Sequence, residues 1–121
     1  MILIDTSVWV DHFRRPEPTL AALIADGDIA LHPFTFGELL LGGLPGGGEV
    51  AKLLLSLSQA PVASAQETAA FIAWAKLSRT GVGYVDTHLL MSARLIPLGR
   101  LMTRDKRLHA QAERLGIAFA P

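Results

Sequence analysis

Short apolar runs alternate along the chain with segments in which apolar residues recur every three or four positions. An unbroken apolar run is expected of a strand buried on both faces, and the longer spacing is expected of an amphipathic helix. The runs predict strands at Met1–Ile4, Ile29–Leu31, Leu101–Thr103 and Ile117–Phe119, with a shorter strand at Pro61–Ala63. Strands that alternate with helices predict an α/β fold, in which a parallel sheet has helices on both faces.

Periodic spacing marks the helices between these strands. Glycine or proline stands near several of their ends, as is typical of helix boundaries. The predicted helices are Ser7–Phe13, a helix along Leu20, Leu23 and Ile24, Thr35–Leu41, a helix along Val50, Leu53, Leu54 and Leu57, Glu67–Ser78, Val85–Ile96 and Lys106–Leu115. In the fifth of these, Phe71, Trp74 and Ala75 share a face, which predicts a core position for Trp74. No repeat or low-complexity tract divides the sequence, so residues 1–121 are interpreted as one domain.

The composition narrows the classes of protein that fit the chain. Hydrophobic residues make up 50% and charged residues 18% of the sequence, so we expect some apolar surface to be covered by a partner. The sequence contains no cysteine, which excludes disulfides and thiolate metal sites and fits a reducing cytoplasm. No apolar run is long enough to span a membrane, and Asp5 interrupts the opening run. We therefore expect a cytoplasmic protein without a signal peptide.

The charge balance bears on nucleic-acid binding. Eleven basic and eleven acidic side chains give a formal net charge of zero. A protein that held nucleic acid by bulk charge would be basic, so the balance counts against a passive nucleic-acid binder. If four carboxylates are set aside around a cation, the remaining charge is 11 − 7 = +4.

Three carboxylates stand alone in apolar segments. Asp5, Glu38 and Asp86 are each the only charged residue in a stretch of at least ten positions. Glu38 follows Phe34 by four positions and precedes Leu41 by three, which places it in the apolar stripe of its helix. A lone ionised carboxylate in apolar surroundings is costly unless it is paired. We therefore expect the three acids to converge on a cation, and oxygen ligands select a hard ion such as Mg²⁺ or Mn²⁺.

Asp105 is a fourth candidate on different grounds. Three basic neighbours surround it, so a surface ion pair or a helix cap explains it equally well. However, it follows the predicted strand Leu101–Thr103 as Asp5 follows the first strand. Ligands of parallel α/β sheets bind at the carboxyl ends of the strands, which favours a place for Asp105 in the same site.

Four segments of the chain resemble the motifs of PIN-domain nucleases, and especially those of VapC toxins from toxin–antitoxin modules. The segments are Ile4-Asp5-Thr6-Ser7-Val8-Trp9-Val10-Asp11, Thr35-Phe36-Gly37-Glu38-Leu39, Gly83-Tyr84-Val85-Asp86-Thr87-His88-Leu89-Leu90 and Leu101-Met102-Thr103-Arg104-Asp105. Each carries one of the four candidate acids, in the order and spacing of the family, and together they span nearly the whole chain. The chain departs from the pattern at His88, where the family often has alanine.

The resemblance implies a PIN-like three-layer fold, with a parallel five-stranded sheet between helices and the acids at its carboxyl edge. It also implies endoribonuclease cleavage of RNA, commonly transfer or ribosomal RNA, with a Mg²⁺ or Mn²⁺ cofactor. Asp5, Glu38 and Asp86 would hold the ion, and Asp105 would be an outer ligand or support a second ion. Glu38 or Asp86 would orient or deprotonate the attacking water.

Five nearby side chains are candidates for supporting roles. Thr6, Ser7 and Thr103 carry hydroxyls beside the acids and could fix the carboxylate rotamers, although helix capping explains them equally well. Trp9 and Phe13 share a helix face. We expect them to line an apolar groove that leads to the acids and receives a helix of a small VapB-like antitoxin.

Other features leave further interpretations open. Tyr84 is a candidate for stacking on bases, and His88 for touching the substrate. The four leucines within Leu53–Leu57 exceed what one helix face buries, so we expect a homodimer with two-fold symmetry. The same acids would also serve an RNA-maturation or DNA-directed nuclease. The alternative from another class is an inactive protein that binds RNA or a partner.

Overall fold

The computed structural model describes residues 1–120, and in this part of the chain a parallel sheet lies between two layers of helices. The elements, in chain order, are β1 (Ile2–Ile4), α1 (Thr6–Arg14), α2 (Pro18–Ala25), β2 (Ile29–Leu31), α3 (Pro33–Gly42), α4 (Gly48–Leu55), β3 (Ser58–Gln59), α5 (Ala65–Ala75), α6 (Tyr84–Leu95), β4 (Arg100–Met102) and α7 (Lys106–Arg114). The strand order is β3-β2-β1-β4, and every neighbouring pair is parallel. The carboxyl ends of the strands therefore lie at one edge of the sheet.

The strands send alternate side chains to opposite faces of the sheet. Leu3 of β1, Ala30 of β2 and Leu101 of β4 join a core beneath α5, α6 and α7. Ile2 and Ile4 of β1 join a second core beneath α1, α2, α3 and α4. Because both faces are covered, the strands are unbroken apolar runs, and the predicted α/β fold with helices on both sides is confirmed.

The expected five-stranded sheet is wrong in strand number, since the described residues form four strands. The segment Ile117–Phe119 contributes a single parallel bridge, between Leu101 and Ala118. The hydrogen bonds between this segment and β4 both involve Leu101, whose N–H donates to the carbonyl of Ile117 at 2.7 Å and whose carbonyl accepts from the N–H of Phe119 at 2.9 Å.

The third strand also lies elsewhere than predicted, at Ser58–Gln59 instead of Pro61–Ala63. The N–H of Ala60 still donates to Leu31 at 2.8 Å, but Pro61 has no N–H with which to continue the pairing. The carbonyl of Pro61 instead accepts from the hydroxyl of Ser92 at 2.6 Å. The missing N–H of Pro61 therefore ends the strand at the point where the apolar pattern predicted that it would begin.

The core position predicted for Trp74 is wrong, because 61% of this residue is exposed. The buried face of α5 consists of Thr68, Phe71 and Ala75. Trp74 stands about 100° from Ala75 around the helix, which puts it beside that face. The Arg94 guanidinium covers its ring at 4.4 Å from the ring centroid, a cation–π contact.

Hydropathy along the helices gives no membrane-spanning segment. Within residues 1–120, none of the helices combines the length and the apolar character needed to cross a bilayer.

Candidate active site

Asp5 lies where β1 ends and α1 begins. Its N–H donates to Met102 of β4 at 3.0 Å, which fixes it at the carboxyl edge of the sheet. The residue is 6% exposed. Its Oδ2 accepts hydrogen bonds from the hydroxyls of Ser7 at 2.8 Å and Thr103 at 2.7 Å. These bonds hold the carboxylate in one orientation and leave Oδ1 for another partner.

Glu38 lies on α3, and the Thr6 hydroxyl donates to its Oε1 at 2.7 Å. The expectation that it lies in a buried apolar stripe is wrong, since Glu38 is exposed and Leu41 is 91% exposed. Thr35 and Leu39 occupy the buried face of α3 instead. The bond to Thr6 ties Glu38 to the start of α1, directly after Asp5.

Asp86 is the third residue of α6 and is partly buried. Burial first, and then the charges of Asp5, Asp105 and Glu38 in that order of strength, raise its pKa to about 6. A hydrogen bond from the backbone of Gly83 has the opposite, smaller effect. Asp5, Asp105 and Glu38 are the carboxylates whose charges act on Asp86, and we refer to these four residues below as the acid cluster.

Asp105 caps a helix and is also a member of the acid cluster. Its Oδ1 accepts from the N–H of Leu108 at 2.9 Å, which caps α7. Its own N–H donates to the hydroxyl of Thr103 at 3.0 Å, while that hydroxyl donates to Asp5. Thr103 therefore joins the acids at the ends of β1 and β4. The two interpretations of Asp105 left open by the sequence, cap and site residue, are compatible.

Basic side chains do not neutralise the acid cluster. In residues 1–120, the ion pairs join Met1 to Asp28, Arg104 to Asp11 and Glu17, and His109 to Glu113. Four carboxylates without a cationic partner are a donor set of hard oxygens, which fits Mg²⁺ or Mn²⁺. Among the described residues, no three acidic or histidine side chains already form a closed ligand set. Holding an ion would therefore require the acids to draw together.

A groove of about 350 Å³ opens beside the acid cluster. Its lining residues are Val10, Phe13, Arg14, Glu38, Leu39, Gly42, Gly43, Leu44 and Pro45. The prediction that Trp9 lines this groove is wrong, because Trp9 is only 3% exposed. Its ring stacks on Phe13 at a centroid distance of 5.9 Å. Trp9 thus supports the groove from beneath, and Phe13 forms its wall.

Three aromatic rings are in contact where α3 and α6 begin. His88 contacts Phe34 and Tyr84, each at a centroid distance of 4.8 Å, and is only 3% exposed, so the expectation that it touches substrate is wrong. Nδ1 of His32 accepts from the N–H of Phe34 at 2.9 Å and caps α3. Burial and, to a smaller extent, the nearby His88 lower the pKa of His32 to about 4. Phe34 was not among the candidates from the sequence, although its ring contacts His88. Its spacing of one helical turn before Glu38 was the available signal.

The sequence as a whole is similar to known proteins. A family model described as PIN domain matches residues 2–114. The chain is 40% identical over 120 residues to Ribonuclease VapC32 of two strains of Mycobacterium tuberculosis, CDC 1551 / Oshkosh and ATCC 25618 / H37Rv. The matched region covers 99% of this chain and 97% of that protein.

Two solved structures resemble the fold. FitAcB from Neisseria gonorrhoeae matches with a TM-score of 0.65 and 22% identity, over 93% of this chain and 94% of that one. PAE2754 from Pyrobaculum aerophilum matches with a TM-score of 0.59 and 15% identity, over 93% of this chain and 79% of that one. At such identities the likeness concerns the fold alone.

Proposed function

Because this chain belongs to the PIN-domain family, and within it to the VapC-type ribonucleases, we propose that it is a Mg²⁺- or Mn²⁺-dependent endoribonuclease. The observation that carries the proposal is the acid cluster, in which the charges of three carboxylates act on a fourth and no salt bridge of the described residues gives any of them a cationic partner. Such a cluster is unfavourable by itself and favourable around a divalent ion.

The four acids have different proposed roles. Asp5, Glu38 and Asp86 would hold the ion, and Asp105 would be an outer ligand. When bound, the ion supplies charge neutralisation at the phosphate and lowers the pKa of water. Glu38 or Asp86 would orient or deprotonate the attacking water.

The hydroxyl residues at the cluster would orient the ligands. Thr6 donates to Glu38, and Ser7 and Thr103 both donate to Asp5. Ser7 and Thr103 also accept backbone N–H groups, from Arg104 and Asp105 respectively. The hydroxyls of Ser7 and Thr103 therefore both donate and accept, which fixes the Asp5 carboxylate that they contact.

The substrate we propose is structured RNA, such as transfer or ribosomal RNA, and the biological role is that of a toxin held by an antitoxin. The relative that is 40% identical is named as a ribonuclease. Apart from the four clustered acids, the chain carries a net charge of +4, which suits a polyanionic substrate. The cytoplasm, where such RNA lies, is the proposed location.

The groove beside the acid cluster is the proposed antitoxin site. Phe13 and Leu44 give it apolar walls, and Glu38 places a carboxylate at its edge. A helix of a VapB-like antitoxin would bury its apolar side against these walls. An arginine from that helix could then reach the acid cluster, because its planar fork pairs two carboxylate oxygens at once.

We further propose a homodimer. On α4, Leu54 is buried, but Leu53 and Leu55 are 56% and 57% exposed. Leu40 and Leu41 at the end of α3 are also exposed. A two-fold contact that covers these leucines would account for apolar surface that the monomer leaves in water.

Asp5→Asn tests the proposed function most simply. The amide keeps the shape of the side chain and removes a ligand charge, so cleavage of bacterial transfer and ribosomal RNA should be lost with the fold intact. Growth arrest on expression should disappear with it. Asp28→Asn is the matched control, because Asp28 pairs only with the Met1 amino group, at 3.5 Å, on the opposite edge of the sheet.

Two outcomes would decide against parts of the proposal. Cleavage by Asp5→Asn at the wild-type rate would remove Asp5 from the site. RNA cleavage in vitro by a chain whose expression is harmless would instead favour an RNA-maturation nuclease over a toxin.

A further inference from the structure

Two aromatic side chains of the described residues are more than half exposed, Trp74 at 61% and Tyr84 at 56%. They differ in their surroundings. Trp74 already has a partner on its ring, the Arg94 guanidinium. Tyr84 begins α6, two positions before Asp86 of the acid cluster. A large exposed aromatic ring beside a candidate active site is available to bind a ligand. The Trp74 ring, by contrast, already binds a side chain of the same chain.

Tyr84 is the outer member of an aromatic row that runs from α6 to α3. Its ring meets His88 at 4.8 Å with an angle of 80° between the planes, and His88 meets Phe34 at 4.8 Å with an angle of 68°. His88 is buried and Phe34 is partly buried, so the row has a fixed base. An edge-to-face contact covers at most one face of a ring. One face of the Tyr84 phenol is therefore left for another planar group.

The aromatic row shares a helix face with the acid cluster on α3, because Phe34 precedes Glu38 by one helical turn. On α6, Asp86 is only two positions from both Tyr84 and His88, although its side chain leaves the helix on another face. One turn rises about 5.4 Å. This is the scale of the separation between a phosphate and the base of an adjacent nucleotide. A nucleic-acid strand with a phosphate at the acids would thus bring a base to the row.

We propose that Tyr84 binds the RNA substrate by stacking on the nucleobase next to the scissile phosphate, with His88 and Phe34 supporting its ring. The inference rests on the proposed ribonuclease function. The antitoxin groove does not compete for this surface. Its wall residues Phe13 and Leu44 are not part of the aromatic row, and from Glu38 it extends toward the end of α3, whereas Phe34 lies at the start of that helix.

The test measures RNA binding without cleavage. The full chain carrying Asp5→Asn is titrated, in Mg²⁺, into two fluorescein-labelled ten-nucleotide RNAs. One is oligoadenylate, and the other is an abasic ribose-phosphate chain of equal charge. Tyr84→Leu, Tyr84→Phe and the control Trp74→Leu are each added to this background. Comparing the two RNAs separates contacts to bases from contacts to the backbone.

Tyr84→Leu should weaken binding of oligoadenylate by about fivefold or more, as expected for one lost stacking contact. It should leave binding of the abasic chain unchanged. Tyr84→Phe should keep the affinity for both RNAs because phenylalanine retains the ring, and Trp74→Leu should bind both as the parent does. Equal losses for both RNAs in Tyr84→Leu, or no loss for either, would overturn the inference.

A cleavage assay on the chains with Asp5 intact separates this inference from the proposed function. If RNA is cleaved while Tyr84→Leu keeps the base preference, the stacking contact is wrong and the ribonuclease stands. If Tyr84→Leu loses the base preference but the intact chain cleaves no RNA, the stacking contact stands and the ribonuclease proposal is wrong.

Discussion

Two helices of this protein have an acid at the third position, and the surroundings of the two acids shift their pKa values in opposite directions. Glu67 is the third residue of α5 and Asp86 the third residue of α6, and each accepts a hydrogen bond from the backbone at the helix cap. Hydrogen bonds from the backbone and hydroxyl of Ser64 lower the pKa of Glu67. Burial and three neighbouring carboxylates raise the pKa of Asp86 to about 6. The neighbours, and not the helix position, separate a capping acid from a candidate site acid.

The comparison also indicates which helix start stabilises the fold. At α5 the acid and the cap satisfy each other in a capping box, so the charged form is favoured. At α6 the charged form is disfavoured, and the favourable partner we propose is an ion from outside the chain. Repulsion at the acid cluster is thus a cost to stability that metal binding would relieve.

The largest difference between the two acids should appear in catalysis. Asp86→Asn should reduce RNA cleavage about a hundredfold or more, since changes to the outer partners of metal ligands alone reach that range. Glu67→Gln should cleave at the wild-type rate, because Glu67 is exposed and bonded only to its cap. Single-turnover cleavage at saturating Mg²⁺ checks both. Equal cleavage rates for the wild type and Asp86→Asn would show that Asp86, like Glu67, is not needed for catalysis.

The next largest effect is a gain in stability from the same substitution. Without metal, at pH 7.5, Asp86→Asn should raise the free energy of unfolding by roughly 1–3 kcal/mol, the upper end corresponding to a pKa change from 3.8 to about 6. Urea unfolding in EDTA measures it. A destabilised Asp86→Asn chain would show that the carboxylate is a structural group.

The raised pKa of Asp86 determines how the stability gain of Asp86→Asn changes with pH. The folded chain holds the Asp86 proton more tightly than the unfolded chain does. The stabilisation from that proton is complete below the ordinary pKa of 3.8 and is lost as the pH rises through about 6. The advantage of Asp86→Asn should therefore be absent below pH 3.8 and complete above about pH 6. An advantage that does not vary with pH would assign the gain to packing.

The smallest effect is expected at the start of α5. Glu67→Gln should lower the melting temperature slightly, because the amide accepts the Ser64 N–H less strongly than the carboxylate does. Since the pKa of Glu67 is lowered, its contribution is present above its ordinary value of 4.5 and is lost as the pH falls below it. Scanning calorimetry at pH 7 and pH 3 measures the difference. A larger loss at pH 3 would contradict the capping account.

Much of the sheet could be predicted because strands buried on both faces leave unbroken apolar runs. The same logic located Asp5 and Asp105, since each follows such a run. It failed for β3, where Ser58–Gln59 is exposed and polar, so no apolar run marks it. Its register depends on backbone pairing with β2, which side-chain patterns do not record.

The sequence indicated which residues form the candidate site, but it was a poorer guide to how deeply they are buried. Periodicity indicates which residues share a helix face, but not how wide a face the neighbouring elements cover. On α3 the covered face includes Thr35 and Leu39 and stops short of Leu41, and on α5 it stops short of Trp74. For that reason Glu38 was expected to be buried and is exposed.

Direct binding of Mn²⁺ tests the central claim, that the acid cluster is a metal site. Calorimetric titration at pH 7.5 should show saturable binding to the wild-type chain, reversed by EDTA. Asp5→Asn and Asp86→Asn should each bind at least about tenfold more weakly, as expected for loss of a charged oxygen ligand. Glu67→Gln and Asp28→Asn should bind as the wild type does. A wild-type chain that binds no Mn²⁺ at millimolar concentration, or an Asp86→Asn chain that binds it equally well, would contradict the account.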